Sequence, residues 1–283
     1  IGIGFIGINL VIGLLSSNLG PAAEALVKNA GLQLDVIDVG WPAASAIAFA
    51  SRVGALVIPI GLAVNIIMLL TKTTKTVNVD LWNYWHFAFT GALVTAATGN
   101  LTLGMIAAAI NCAIVLKLGD WTAPIVQEFY GLPGISLPHG FSAAYVPIAI
   151  PLNKLFDKIP GLNKIEINPE TASQRFGILG EPTIVGLILG IILGLSAKYD
   201  IKASLNLGMS MAGVMFLMPR MVKILMEGLI PVSEAAKKFM QKKFAGTEFY
   251  IGLDSAVATG HPSAIATALI LVPVTILLAV IVP

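Results

Sequence analysis

Long apolar runs separated by short polar breaks rich in Gly and Pro dominate the chain, and most are too long for buried strands, so they predict helices. The runs cover 1–15, 43–70, 84–98, 101–116, 176–197, 203–218 and 263–282. A membrane-crossing helix needs roughly 20 mostly apolar residues, which several of these runs approach or exceed. The pattern predicts an all-α polytopic membrane protein with roughly seven to eight spanning segments, plus re-entrant and interfacial helices. The third and fourth runs are short and divided by Asn100, and read either as one long bent span or as two partly inserted segments.

The breaks carry their own information. Segments 21–30 and 231–244 each open on Pro with Glu three residues later, which is helix-start chemistry. The second sets Lys237, Lys238, Lys242 and Lys243 against Ala236, Phe239, Met240 and Phe244, and predicts an amphipathic helix lying at the membrane interface. Segment 121–151 holds Pro124, Pro133, Pro138, Pro147 and Pro151. An interior Pro removes a backbone hydrogen bond and clashes with the preceding turn, so this stretch predicts a broken or re-entrant element shielded by protein or lining an aqueous cavity.

A pattern also recurs. Pro21, Glu24 and Ala25 lead through Asp35 and Asp38 to Gly40-Trp41-Pro42 and Ser45-Ala46-Ile47-Ala48. Pro231, Glu234 and Ala235 lead through Asp254 to Gly260-His261-Pro262 and Ser263-Ala264-Ile265-Ala266. Paired Gly/Pro interruptions beside acidic residues in an apolar chain predict an inverted internal repeat, with solute handled where the halves meet. Trp41 stands where His261 does, so the copies have diverged and the His side reads as the working one.

Composition narrows the class. Of 283 residues, 57% are hydrophobic and 11% charged, against about 25% charged in soluble domains, and mean hydropathy is +0.88. This is the make-up of an integral membrane protein. The net charge of +2 is scattered in short Lys/Arg clusters, which excludes a nucleic-acid-binding face. Those clusters flank too many consecutive segments for one simple alternation, which favours re-entrant segments. The single cysteine, Cys112, forms no intrachain disulfide and sits in an apolar run as a small buried hydrophobe. The spacing of Cys and His offers no metal site, and nothing in the chain calls for a cofactor. No signal-peptide pattern is visible. The chain begins and ends in apolar runs, and reads as a segment of a longer membrane protein.

Candidate chemistry is sparse and polar. Gly2-x-Gly4-x-x-Gly7 matches a dinucleotide fingerprint by letter, but no strand precedes it, so it reads as helix packing by small residues. Gly180-Glu181-Pro182 places a carboxylate at a helix start, where the macrodipole stabilises it. Glu181 is therefore either a cap at the water interface or a hydroxyl-binding group in a polar cavity. Asp254 and His261 precede another hydrophobic helix and offer an acceptor and a donor or acceptor to a polyhydroxylated ligand. His139, between Pro138 and Gly140, reads equally as cavity lining or as structure. His86, within Trp82-Asn-Tyr-Trp85-His86, reads more readily as an interfacial residue than as a ligand-binding one. Asn100 fits interhelical hydrogen bonding as well as solute contact.

Three motifs, Asp80-Leu-Trp82-Asn-Tyr-Trp85-His86-Phe-Ala-Phe89-Thr-Gly91, Phe176-Gly-Ile-Leu-Gly180-Glu181-Pro182, and Gly252-Leu-Asp254 with Gly260-His261-Pro262, together resemble the galactitol-type enzyme IIC permeases of the bacterial phosphoenolpyruvate-dependent phosphotransferase system. The resemblance extends over essentially the whole chain. It implies that 1–283 form a single transmembrane permease domain, lacking one membrane segment at the front and more at the back. It also implies a homodimer in the bacterial cytoplasmic (inner) membrane, related to the ascorbate-type transporters, whose core domain moves in elevator fashion against a dimerisation scaffold. The substrate implied is a polyol such as galactitol, phosphorylated on delivery by a separate phosphocysteine-bearing IIB subunit that is itself supplied by IIA. No catalytic nucleophile is expected in this chain. Glu181, His261, Asp254 and His139 are the foremost expected substrate contacts, with Asn100 and His86 behind them. The rival reading is an ion-coupled secondary transporter of a small polar solute, with Glu181 and Asp254 binding a proton or sodium. An intramembrane enzyme is disfavoured by the missing nucleophile and metal constellations.

Overall fold

The computed structural model describes residues 2–31, 41–80, 83–161, 176–243 and 248–281. Asp35, Asp38 and Gly40 of the first repeat copy lie outside them, as do Leu81 and Trp82. The chain divides into two compact units, each discontinuous in sequence: 1–38, 164–230 and 256–283 form the first, and 39–163 with 231–255 form the second.

The first unit is helical. Its elements are α1 (Gly2–Asn29), α8 (Pro182–Ser196) after a 3-10 turn (Gly177–Gly180), the larger part of α9 (Ile201–Lys243), the short α10 (Ala256–Thr259) and α11 (Pro262–Ile281). Helices without a polar face associate closely only where small residues let backbones approach. Gly186, Gly190 and Gly194 supply that stripe on α8: a β-carbon at Gly190 would fall 2.7 Å from Gly208 Cα, and one at Gly194 would fall 2.8 Å from Ser204 Cα. Gly4 and Gly7 do the same for α1, packing against Leu225 and Met221 of α9. The letter match to a nucleotide fingerprint is thus a helix-packing surface. The Asn29 side-chain amide donates to the Ala197 carbonyl (2.6 Å) and ties the end of α1 to the end of α8.

The second unit combines α2 (Trp41–Ala50), α3 (Gly54–Leu70), α4 (Tyr84–Thr98), α5 (Leu101–Tyr130), α6 (Gly140–Ala143) and α7 (Val146–Phe156) with three short strands. The single run 43–70 is bent by 90° between α2 and α3. Ser51 makes the corner by donating to the Ala48 carbonyl (2.7 Å) while its oxygen accepts from Gly54 N (3.0 Å). Antiparallel α4 and α5 form a hairpin through Gly99, whose φ of 69° needs glycine, and Asn100, whose side chain caps α5 by accepting from Thr102 N and Leu103 N. Their buried faces, with Val53 and Val57, enclose a core of Tyr84, Phe87, Ala88, Ala108, Cys112, Val115 and Leu116.

The strands β1 (Thr76–Asn78), β2 (Ile135–Ser136) and β3 (Tyr250–Gly252) pair in parallel in the order β1-β3-β2. This sheet is absent from the sequence expectation, because two or three residues cannot display an alternating pattern. Three other expectations change. The α5 helix runs 30 residues through Pro124, so the break expected from Trp121 begins only at Gly131 (φ 64°). Neither expected helix start is one: Pro21 lies inside α1, and Pro231–Lys243 is the end of α9, which is 43 residues long. His86, expected at the membrane interface, is 0% exposed, as is Tyr84, and Trp85 is 3% exposed, so this segment is core. Among the described residues, three helices are long and apolar enough to cross a membrane, or four if the bent α2–α3 pair counts as one span.

Candidate functional site

Parallel strands end their backbone pairing at one common edge, and that edge is where open parallel sheets present ligand-binding residues. In the second unit Asn78, Gly252 and Ser136 stand level across β1, β3 and β2. Just beyond them the chain places Asp80, Asp254 and His139.

Side-chain hydrogen bonds hold the sheet in register. On α5, Asp120 accepts from Thr74 Oγ1 (3.0 Å), Thr76 Oγ1 (2.9 Å) and the Lys75 backbone N–H (3.0 Å), which fixes the start of β1. Asn65 of α3 donates to the Thr76 carbonyl (2.8 Å) and accepts from Asn78 N (3.0 Å). The hydroxyls of Thr76 and Ser136 meet at 2.9 Å across the central strand. That bridge requires Gly252: a β-carbon there would fall 2.8 Å from the Thr76 methyl and 2.9 Å from the Pro138 ring.

Beyond the strand ends, Asp254 N donates to Asp80 Oδ2 (3.0 Å) and joins the segments after β1 and β3. His139 Nε2 lies 3.7 Å from Asp254 Oδ2, and His139 Nδ1 lies 3.2 Å from Ser142 Oγ. The His86 ring meets the His139 ring edge to face at 4.8 Å. Trp85 closes the other side, 5.8 Å from His139 and stacked on Phe141 at 5.0 Å and 14°. Burial holds His139 down, with a pKa of about 4 despite the opposing pull of Asp80, so its imidazole is neutral at pH 7. The cluster thus offers carboxylate acceptors, a neutral imidazole able to donate or accept, and an aromatic wall. Such groups can hydrogen-bond neutral hydroxyls.

The structure therefore brings His139, Asp254 and His86 together. Asn100 lies about 20 Å of helix away from His86, at the opposite end of α4, and spends its side chain as the α5 cap. Glu181 and His261 belong to the first unit. Glu181 is exposed immediately before α8, its carbonyl accepting from Val185 N (2.9 Å). His261 is half-buried immediately before α11, and its Nδ1 accepts from Ser263 N (3.3 Å). Sequence reasoning missed Asp80, Asn78, Asn83 and Trp85 as members of the cluster. Asp80, Asn83 and Trp85 had a signal, in the motif that carries the family resemblance, and Asn78 had none.

Among known proteins, the model for the sugar-specific permease component of the phosphotransferase system, EIIC-GAT, matches residues 1–283. The galactitol-specific EIIC components of Escherichia coli K12 and of Escherichia coli O157:H7 are each 48% identical to the chain over 283 residues. The alignments cover 100% of this chain and 63% of each relative, so the chain spans less than two thirds of their length. The match along the whole chain is accompanied by the apolar helices that such a protein requires: this chain belongs to the EIIC-GAT family of phosphotransferase-system permease components.

Proposed function

We propose that the chain is the membrane-embedded part of a permease that carries a polyol such as galactitol across the bacterial cytoplasmic membrane, coupled to phosphorylation by a separate IIB subunit. The observation that carries this reading is the cluster of His139, Asp254, Asp80 and His86 at the strand ends. A polyol has many hydroxyls and no charge, so it is recognised by convergent acceptors and neutral donors and not by an ion-pair clamp. In this proposal His139 and Asp254 contact the substrate, and His86 backs His139. Glu181 and His261 serve as polar helix entrances of the first unit. IIB delivers the phosphoryl group from a phosphocysteine and is recharged by IIA; this chain contributes binding and passage.

The proposal extends to a homodimer in which a core domain moves in elevator fashion. The duplicated pattern supports a repeat at the level of elements: Pro21 and Pro231 each fall late in a long helix, and Trp41 and Pro262 each open a later helix, the second after β3 and the short α10.

Uptake by the full-length protein in proteoliposomes tests coupling. Galactitol is expected to appear inside as its phosphate only when phosphorylated IIB is enclosed. Accumulation of unmodified galactitol under a proton or sodium gradient, without IIB, would instead support an ion-coupled transporter.

A further inference from the structure

The segment that enters α4 holds more unpaired polar atoms than a structural role explains. Asn78 and Asn83 are 3% and 0% exposed. Asn83 Nδ2 donates to Asn78 Oδ1 at 3.0 Å, and that is the one bond the two amides share. Among the described residues, Asn78 Nδ2 and Asn83 Oδ1 have no hydrogen-bond partner, and neither does the indole N–H of Trp85. A buried donor or acceptor left without a partner is costly, so native proteins rarely leave several together.

Neighbouring Asn65 provides the contrast. It is 4% exposed, and both ends of its amide are paired, one to the Thr76 carbonyl and one to Asn78 N. An asparagine that only braces β1 against α3 is therefore satisfied in this fold. The Asn78–Asn83 pair is satisfied on one side only, at the strand end that carries the His139 and Asp254 cluster.

Resting on the substrate site proposed above, we infer that the Asn78–Asn83 amide pair is a specificity-determining element that takes one hydroxyl of the polyol. Asn78 Nδ2 donates to the hydroxyl oxygen, and the same hydroxyl donates to Asn83 Oδ1. One unpaired donor and one unpaired acceptor match a hydroxyl, which does both, and match neither a carboxylate nor an ammonium. Trp85 Nε1 donates to a second hydroxyl. A site built this way discriminates strongly against an analogue lacking the hydroxyl, because the amides are then left unpaired.

Calorimetric titration of the full-length protein with galactitol tests the inference. Replacing both partners of a buried hydrogen bond by apolar side chains of similar shape is close to neutral for folding. The double variant Asn78→Leu/Asn83→Leu is therefore expected to keep or raise the ligand-free melting temperature while galactitol affinity falls about tenfold or more. A folded double variant with unchanged affinity would overturn the inference. If the double variant does not fold, Asn83→Ser carries the same test, with a loss of about threefold or more expected and unchanged affinity overturning it. A His139→Ala arm separates the two levels. Loss of binding there with full affinity in the amide variants overturns the amide role alone, whereas full affinity in His139→Ala, or no binding by the unaltered protein, overturns the site beneath it.

Discussion

At the scale of single residues, burial decides what His139 does. Its pKa of about 4 lies below the ordinary histidine value of 6.5, chiefly because burial disfavours the charged ring. The folded protein therefore takes up this proton later than the unfolded chain does. The stability tied to the neutral ring is intact above pH 6.5 and is lost as the pH falls towards about 4. Between pH 7 and pH 5 the protein is expected to lose on the order of 1–2 kcal/mol more stability than a His139→Gln variant. Melting curves at the two pH values measure this, and equal losses would contradict it. Asn100 sits at the other extreme: its carboxamide oxygen is spent on the two N–H groups of the α5 cap. Asn100→Ala is expected to cost about 1 kcal/mol of stability and to leave galactitol affinity unchanged, as melting and calorimetry on one preparation would show. A loss of affinity would restore Asn100 to the site.

At the scale of elements, glycine governs how closely the helices approach. Gly190 meets Gly208 backbone to backbone, so a larger side chain must drive α8 from α9. Gly190→Leu is expected to destabilise the protein by about 1–3 kcal/mol, read as a lowered melting temperature. An unchanged melting temperature would mean that the two helices do not pack through this stripe.

This small-residue packing was legible in the sequence for Gly4 and Gly7, because a glycine pattern with no strand before it has little else to do in a membrane. The sheet was not legible. Its strands are three, two and three residues long, and β3 lies more than a hundred residues beyond its partners. Local pattern cannot reveal a pairing that only tertiary contact creates. The helix ends misled in the opposite direction: Pro124 and Pro231 look like breaks, yet α5 and α9 continue through both.

At the scale of the molecule, the chain passes between its two compact units four times, at 38–39, 163–164, 230–231 and 255–256. Asp254 and His261, seven positions apart and expected to work together, consequently fall in different units, whereas His86, His139 and Asp254 converge from distant positions in one. Proximity in sequence made the first pairing attractive, and only the fold makes the second visible. The family, by contrast, was legible along nearly the whole chain, because its motifs join the polar helix entrances to the aromatic segment that opens α4. The central claim is that the polyol sits at the strand-end cluster of the second unit. An experimental structure of the full-length protein with galactitol bound tests it most directly. The account predicts ligand hydroxyls within hydrogen-bonding distance of His139 and Asp254. Galactitol held by other residues, with neither of these in contact, would contradict it.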